Sequence, residues 1–525
     1  MKLNYKRTIL VGFAFFLICA FWQAYDNIMP LILTNKFGMN QTWSGVIMAL
    51  DNILALFMLP LFGAISDKCT SRYGRRTPFV AVGTLAAVLL LLGLSFADLA
   101  QLKNIQAVSA IDDPKALEVI YDAEAGNKLM APNGEKFVLS EKFSKQEFMA
   151  ITSDPVLVNT EDAAGKTVTN PDYTNYVVPA RQAYAWQITT DSPAPLIAFV
   201  VILLLILVSM SIFRSPAVAL MPDVTVKPLR SKANAVINLM GALGGIIVLA
   251  LGIVFATAAV KNSMMSYFGY FGVVAAIMLI ALVVFLLTVR EPEWAQEMQQ
   301  QSVTLGIAEE ESKDDTAGDR KLTPDEVKSL ILLLLSIVLW FFGYNAITSK
   351  YSVYASNILN KDYNLTLIIA QAAAIVSYLP VGIVASKAGR KKTILAGIVM
   401  LGAAFTVGAF LRSDSPTVVM NIMFALAGIG WATINVNSFP MVVELASGGN
   451  VGKYTGYYYT ASMAAQVATP MLSGFLMDKL GMRVLFPYAA VFVALAFVTM
   501  FFVRHGDNKP EAKTGLEALE EMDVN

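Results

Sequence analysis

A chain of 525 residues that is 56% hydrophobic, with a mean hydropathy of +0.58, exceeds the apolar share of about 45–50% found in soluble globular proteins. Lys and Arg total 39, as do Asp and Glu, so no excess of positive charge points to nucleic acid, and the 15% of charged residues gather in a few loops. The lipid bilayer is the expected partner, and nothing in the pattern calls for an obligatory protein partner. Two cysteines, Cys19 in an apolar run and Cys69 in a basic loop, are too few for a disulfide framework or a zinc site.

A membrane-crossing helix needs about 20 predominantly apolar residues. Runs of that length fall near 8–34, 42–66, 78–98, 194–218, 233–258 and 266–289. The first follows Lys2, Lys6 and Arg7 but is too long for a signal-peptide core, so it reads as a retained span. A polar stretch over 291–328 separates these six from six more, near 329–356, 365–386, 392–411, 416–440, 454–477 and 484–503. Helices are expected because the backbone in lipid must satisfy its own hydrogen bonds, and no run alternates as a barrel strand would. The expected fold is an all-α membrane protein of twelve spans in two pseudo-symmetric bundles, 1–290 and 329–504, with a linker over 291–328 and a tail over 505–525.

Lys68, Arg72, Arg75 and Arg76 follow the second run, Lys227, Arg230 and Lys232 the fourth, and Lys387, Arg390, Lys391 and Lys392 the eighth. All lie on one side, which the positive-inside rule makes cytoplasmic, together with both termini and the linker of a multi-pass plasma-membrane protein. Residues 99–193 then form an extracellular insert between the third and fourth spans. Its turn signal, Pro132, Asn133 and Gly134 leading into Phe137, Val138 and Leu139, suggests a small β-rich cap, either ornamental or with a part in function.

The second runs of the two halves end alike. Gly63 to Asp67 reads GAISD with Gly74, Arg75 and Arg76 downstream, while Gly382 to Ser386 reads GIVAS with Gly389, Arg390 and Lys391 downstream. Duplicated halves place a substrate site near the midplane between them and work by rocking. Gly63 allows close helix approach and Asp67 sits near the arginines, as in a cytoplasmic gate latch; a plain positive-inside anchor would explain the arginines alone.

The loop GAISDKCTSRYGRRTPF resembles that of the major facilitator superfamily, and within it the glycoside-pentoside-hexuronide cation symporters of the sucrose and maltose group. Pro216, Ala219, Leu220, Asp223, Arg230, Ala233, Asn234, Ala235 and Gly244 are similar to that family's segment joining the fourth and fifth helices, and Gly452, Gly456 and Gln466 to its eleventh helix. The resemblance implies gating roles for Gly63, Asp67, Gly74, Arg75, Arg76, Arg214, Asp223 and Arg230, with Glu444 in the place of Asp223 in the second half. Departures are present. Gln41 stands where plant sucrose carriers have a histidine, Val218 where they have an arginine, one turn from Arg214, and Ala55 and Leu59 where melibiose-type members carry acidic sodium ligands. A co-transported proton is therefore expected rather than sodium, and no bound cofactor.

Polar groups inside spans cost about 2.5–3.5 kcal/mol or more when ionisable, which makes each a functional candidate. Trp22, Gln23 and Asp26 share one face of the first span, an aromatic, an amide and a carboxylate that suit a sugar, with Asn27 beside them. Asp51 and Asn52 lie on the second span at a depth similar to Asp26, about 10 Å in at 1.5 Å per residue, so Asp26 and Asp51 are candidates for proton coupling. Lys350 either snorkels to water or bridges to Asp26 or Asp51 across the cavity. Asn345, Gln371, Asn435, Asn437 and Gln466 are candidate substrate ligands from the second half, or interhelical glue. His505 lies beyond the last span. No phosphate-cradling loop, metal cluster or nucleophile paired with a base is evident, so an enzyme is not expected. The expected activity is proton-coupled symport of a maltose-like or sucrose-like sugar; the alternatives are an exporter or uniporter of another solute, or a non-transporting sensor that uses the insert.

Overall fold

The computed structural model describes residues 3–158, 166–226, 229–304, 322–445 and 451–506. Lys227, the linker residues 305–321 and the tail from 507 lie outside this description. Among the described residues twelve long helices are present: α1 (Tyr5–Lys36), α2 (Gln41–Asp67), α3 (Thr77–Asn104), α4 (Ala194–Val224), α5 (Arg230–Val254), α6 (Phe268–Thr288), α7 (Pro324–Leu359), α8 (Tyr363–Ala388), α9 (Arg390–Phe410), α10 (Thr417–Val443), α11 (Val451–Leu480) and α12 (Leu485–Phe501). Ten of them are apolar and long enough, among the described residues, to cross a membrane. Helix α8 has a shorter apolar stretch, Tyr363–Tyr378, and α11 is 30 residues long with Lys453, Asp478 and Lys479 at its ends.

Local chemistry starts these helices. The Asn4 carboxamide accepts from the Arg7 N–H, Asn40 accepts from Trp43, Asp362 accepts from Asn364, and Thr323 and Glu326 form a reciprocal capping box. Both α1 and α7 close in a π turn, Ile32–Lys36 and Ala355–Leu359, a duplication that the sequence motifs did not announce.

In the first half α1 packs on α5 and α6, α3 on α4 and α6, and α2 on α4; in the second, α7 packs on α11 and α12, α8 on α10, and α9 on α10 and α12. The halves meet through α2 with α11, α5 with α8, and α1 with α7. The hydrogen bonds that join them cluster at the end that carries the insert. There a Cβ on Gly45 would stand 2.6 Å from the Pro470 carbonyl carbon, and one on Gly474 2.6 Å from that of Gln41, so α2 and α11 touch backbone to backbone. Toward the basic-loop end α2 stays on α4 but separates from α11 of the other half. Along Leu50–Asp67 only Ala55 and Ser66 are buried, and Phe57 is 68% exposed.

The insert is mainly helical rather than β-rich. Helices Pro114–Glu124 and Val178–Asp191 frame two short antiparallel hairpins, Lys128–Met130 with Lys136–Val138 and Pro155–Val158 with Lys166–Thr169. The Pro132–Gly134 signal does form the first hairpin's turn, but three-residue strands leave Leu117, Ile120, Phe137, Leu139 and Phe148 to build a core against helices. The polar stretch after 290 opens with a helix, Glu291–Thr304, against the first half, with Trp294 buried and Arg7 both paired with Glu297 and 5.2 Å from the Trp294 ring centre.

One ion pair in the first half is wholly buried. Lys36, in the π turn of α1, pairs with Asp98 of α3, lies 4.5 Å from the Tyr267 ring centre, and leaves Asp98 Oδ2 to accept the Tyr267 N–H at 3.2 Å. Removing one partner of such a pair strands the other charge, which costs about 3–5 kcal/mol, whereas an apolar pair of similar volume does not. Lys36→Met is therefore expected to lower stability by about that amount, and Lys36→Met with Asp98→Leu by distinctly less, in denaturant unfolding of detergent-solubilised protein.

Candidate functional site

At the basic-loop end the residues of the GAISD loop lock onto α4 and onto the chain after α6. Arg76 Nη2 pairs with Asp67 at 2.5 Å and its Nε donates to Asp223 at 2.7 Å, while Arg75 reaches the other Asp223 oxygen at 3.0 Å. Glu291, buried to 2% exposure, accepts the backbone N–H groups of Arg75, Arg76 and Thr77 and the Thr77 hydroxyl, at 2.7 to 3.1 Å. The carboxylate thereby occupies the N-terminus of α3, where unpaired N–H groups and the helix dipole favour an anion. Gly74, at φ +105°, brings the loop against Glu291. A Cβ on Gly63 would meet Ser215 Oγ at 2.9 Å, which sets the spacing of α2 and α4. In the second half Arg390 pairs with Glu444, the counterpart of Arg76 with Asp223. Arg230 donates to the Thr225 and Pro222 carbonyls and so closes the turn between α4 and α5 within its own half.

At mid-depth the structure brings together Trp22, Asp26, Asp51 and Arg214. All four are partly exposed; Asp26, Asp51 and Arg214 lie within electrostatic reach of one another, and the Arg214 guanidinium sits 5.5 Å from the Trp22 ring centre. Asn52 donates to Asp51 Oδ1 at 2.8 Å. Across the gap, Tyr459 of α11 is within electrostatic reach of Arg214, and Tyr344 of α7 within that of Asp26. Tyr344 stacks flat on Trp431 of α10 at 3.7 Å. Gln23 and Gln371 converge from opposite halves over Gly245 of α5, where a Cβ would meet Gln371 Nε2 at 3.1 Å and Gln23 Oε1 at 3.3 Å.

Four of the candidate ligands present buried polar atoms with no hydrogen-bond partner: Trp22 Nε1, Asn345 Nδ2, Gln371 Oε1 and Asn435 Oδ1. Such atoms are uncommon in folded proteins and mark places that a polar ligand or water completes. Gln466 is partly exposed on α11. Asn27 and Asn437 are engaged within their own helices, donating to the Gln23 and Thr433 carbonyls one turn back.

Lys350 neither snorkels nor reaches Asp26 or Asp51. It is wholly buried near the insert end, where Nζ donates to the Gln41 carbonyl at 2.7 Å. Asp478 of α11 grips the same turn, accepting from the N–H groups of Gln41 at 2.8 Å and Thr42 at 2.7 Å and from the Thr42 hydroxyl. A lysine and an aspartate of the second half thus hold the first turn of α2. Beside them Thr257 and Tyr363 share a hydroxyl contact at 2.8 Å, and Asn364 donates to Thr257 at 3.2 Å, tying α5 to α8.

A model described as Major Facilitator Superfamily matches residues 183–373 and 333–521, which together make up more than half of the chain, and one described as MFS/sugar transport protein matches residues 10–102. The chain belongs to the major facilitator superfamily. Its membership agrees with the solved structures it resembles. The xylose transporter XylE of E. coli in an inward open conformation superposes with a TM-score of 0.58 at 14% identity, over 98% of this chain and 99% of that one. A point mutant of the nucleoside transporter NupG gives 0.55 at 12% identity, over 95% and 100%. Among curated relatives, a sucrose transport protein of Arabidopsis thaliana is 43% identical over 51 residues, and a proton-associated sugar transporter of Mus musculus 36% identical over 107 residues. These matches cover 10% and 19% of this chain and span only 10% and 13% of the relatives' lengths.

Sequence reasoning missed several residues of this superfamily member that the fold brings into play. Glu291 was read as linker because only the fold returns it to Gly74; its acidic position just after a span was the available signal. Asp478 sits where a helix end is expected and looks solvated in sequence. Gly245 is legible only as the second glycine of a pair. If Glu291 holds the α3 N-terminus, Glu291→Ala should cost about 3 kcal/mol, on the scale of hydrogen bonds to a charged group, and lower the Tm in detergent. An unchanged Tm would show that the three N–H groups find other acceptors.

Proposed function

We propose that the chain is a secondary active transporter that moves a disaccharide or other glycoside of the maltose or sucrose kind, together with a proton, by alternating access. The observation that carries the proposal is the convergence of two carboxylates and a guanidinium of the first half in the mid-depth gap, with the amides of Gln23 and Gln371 meeting there from opposite halves over Gly245. Sugars need this mixture: their hydroxyls donate to carboxylate and amide oxygens and accept from amide and guanidinium N–H groups, and the apolar ring face lies on an aromatic surface such as Trp22 or the Tyr344–Trp431 stack. The names of the matched relatives, a sucrose transport protein and a proton-associated sugar transporter, support sugar as the cargo and a proton as the driver. Ala55 and Leu59, at the positions of sodium ligands in melibiose-type relatives, favour a proton over sodium.

In this reading the basic-loop end and both termini are cytoplasmic, the membrane is the plasma membrane, and the insert is external. The contacts at the insert end and the separation of α2 at the other then correspond to an inward-facing carrier. A proton taken up by the Asp26–Asp51 pair removes negative charge facing Arg214 and frees the guanidinium for the sugar's hydroxyls. Sugar and proton leave together to the cytoplasm. The substrate set comprises Trp22, Gln23, Asp26, Asn345, Gln371 and Asn435 with Arg214; Lys350 is an external gate residue.

Uptake of radiolabelled maltose and sucrose into proteoliposomes tests the proposal. An inward proton gradient should drive accumulation of one of them and a sodium gradient should not, and Asp26→Asn should abolish gradient-driven accumulation in protein of unchanged Tm. Absence of uptake under either gradient, with folded protein, overturns the sugar assignment.

Gly245 supplies a second test. A leucine there would fill the space where Gln23 and Gln371 meet, so Gly245→Leu should reduce uptake at least tenfold while leaving the Tm within a few degrees of the native protein. Full activity in that variant would place the sugar away from the two amides.

A further inference from the structure

We infer that the 99–193 insert is the external lid of the carrier: it is built onto the first half, seats on the second half only while the outside is closed, and lifts to admit substrate. The inference rests on the inward-facing, alternating-access reading above.

The insert is one body with the first half. Helix α3 runs straight into it, Gln101 Nε2 donates to Thr189 Oγ1 at 2.9 Å, and Gln182 Nε2 donates to Asn35 Oδ1 at 3.0 Å in the π turn of α1. Gly38, at φ +68°, lies so close to the helix Val178–Asp191 that a Cβ would meet Trp186 Cα at 2.9 Å. Lys261, between α5 and α6, pairs with Asp154 at 2.5 Å, and Met264 from the same loop enters the insert's apolar core. Among the described residues every member of that core comes from the insert, its junctions or this loop.

Its contacts with the second half are of a different kind. The first hairpin's turn reaches the loop between α11 and α12, where the Met482 N–H donates to the Pro132 carbonyl at 2.8 Å. Gly134 and Gly481 pass so closely that a Cβ on Gly481 would stand 2.5 Å from Gly134 Cα, and one on Gly134 2.7 Å from the Leu480 carbonyl oxygen. The Thr174 hydroxyl donates to Asn360 Oδ1, between α7 and α8, at 3.4 Å. The insert therefore rests on the α1–α2 and α5–α6 loops of its own half and on the α7–α8 and α11–α12 loops of the other, and so crosses the line along which the outside must open. A backbone hydrogen bond, a glycine contact and a long hydroxyl contact can be replaced by water when the surfaces part, whereas a shared apolar core could not.

A tether tests this. Pro132→Cys and Met482→Cys, in a Cys19→Ser, Cys69→Ser background, place two thiols across the contact for reversible disulfide closure. Maleimide spin labels at Lys103→Cys and Thr417→Cys, attached in the same background after the 132–482 disulfide has closed, or to a free-lid protein that keeps Pro132 and Met482, report the separation of the halves on the outside without any substrate. The free-lid protein should show a short and a long separation, and the tethered protein only the short one; oxidation of the disulfide form should slow uptake at least tenfold, and reduction should restore it. A tethered protein that still reaches the long separation, or an oxidised protein that takes up sugar as fast as its dithiol form, overturns the lid. If the free-lid protein interconverts between separations but carries neither maltose nor sucrose, the sugar assignment fails while the lid stands on the distances.

Discussion

The first turn of any helix presents N–H groups that the helix itself cannot satisfy, and in a bundle of long membrane helices those turns fall where neighbouring segments must pack. This chain answers the constraint repeatedly with a carboxylate brought from elsewhere. Glu291 caps α3, Asp478 caps α2, and Asp98 receives the Tyr267 N–H at the start of α6. Each carboxylate gains from the helix dipole and from short charge-assisted hydrogen bonds. Each also ties together segments far apart in sequence, so that capping a helix and joining a bundle are the same event.

Where the cap crosses between halves, the same interaction joins them. Asp478 and Lys350 belong to the second half and hold the first turn of α2, which belongs to the first. Glu291 and the Arg76–Asp223 pair hold within one half. The difference lies in connectivity, since the chemistry of a carboxylate on N–H groups is alike in both places. It separates contacts that stabilise one bundle from contacts that join the two.

The middle of the molecule follows the opposite rule. Trp22 Nε1, Asn345 Nδ2, Gln371 Oε1 and Asn435 Oδ1 are buried without partners, and two carboxylates face one guanidinium. A folded protein tolerates such unsatisfied groups where a polar ligand or water can complete them and offset the cost. Gly245 keeps the space between Gln23 and Gln371 open, so the site depends on a missing side chain as much as on those present.

The sequence by itself determined the order of the long apolar helices, the paired loop motifs and the basic loops, because hydropathy, charge and the GAISD repeat are written along the chain and a helix in lipid closes its own hydrogen bonds. It also picked out Asp26, Asp51, Trp22 and Gln371, since a polar residue within an apolar run stands out against the cost of its burial. Only the tertiary structure decided which of them meet. Lys350 went to the Gln41 carbonyl, Asn27 and Asn437 turned back on their own helices, and the insert proved helical and seated on both halves. The reason is physical: periodicity fixes the face of a helix on which a side chain lies, but its partner depends on helix rotation and crossing, which the packing of twelve helices sets together.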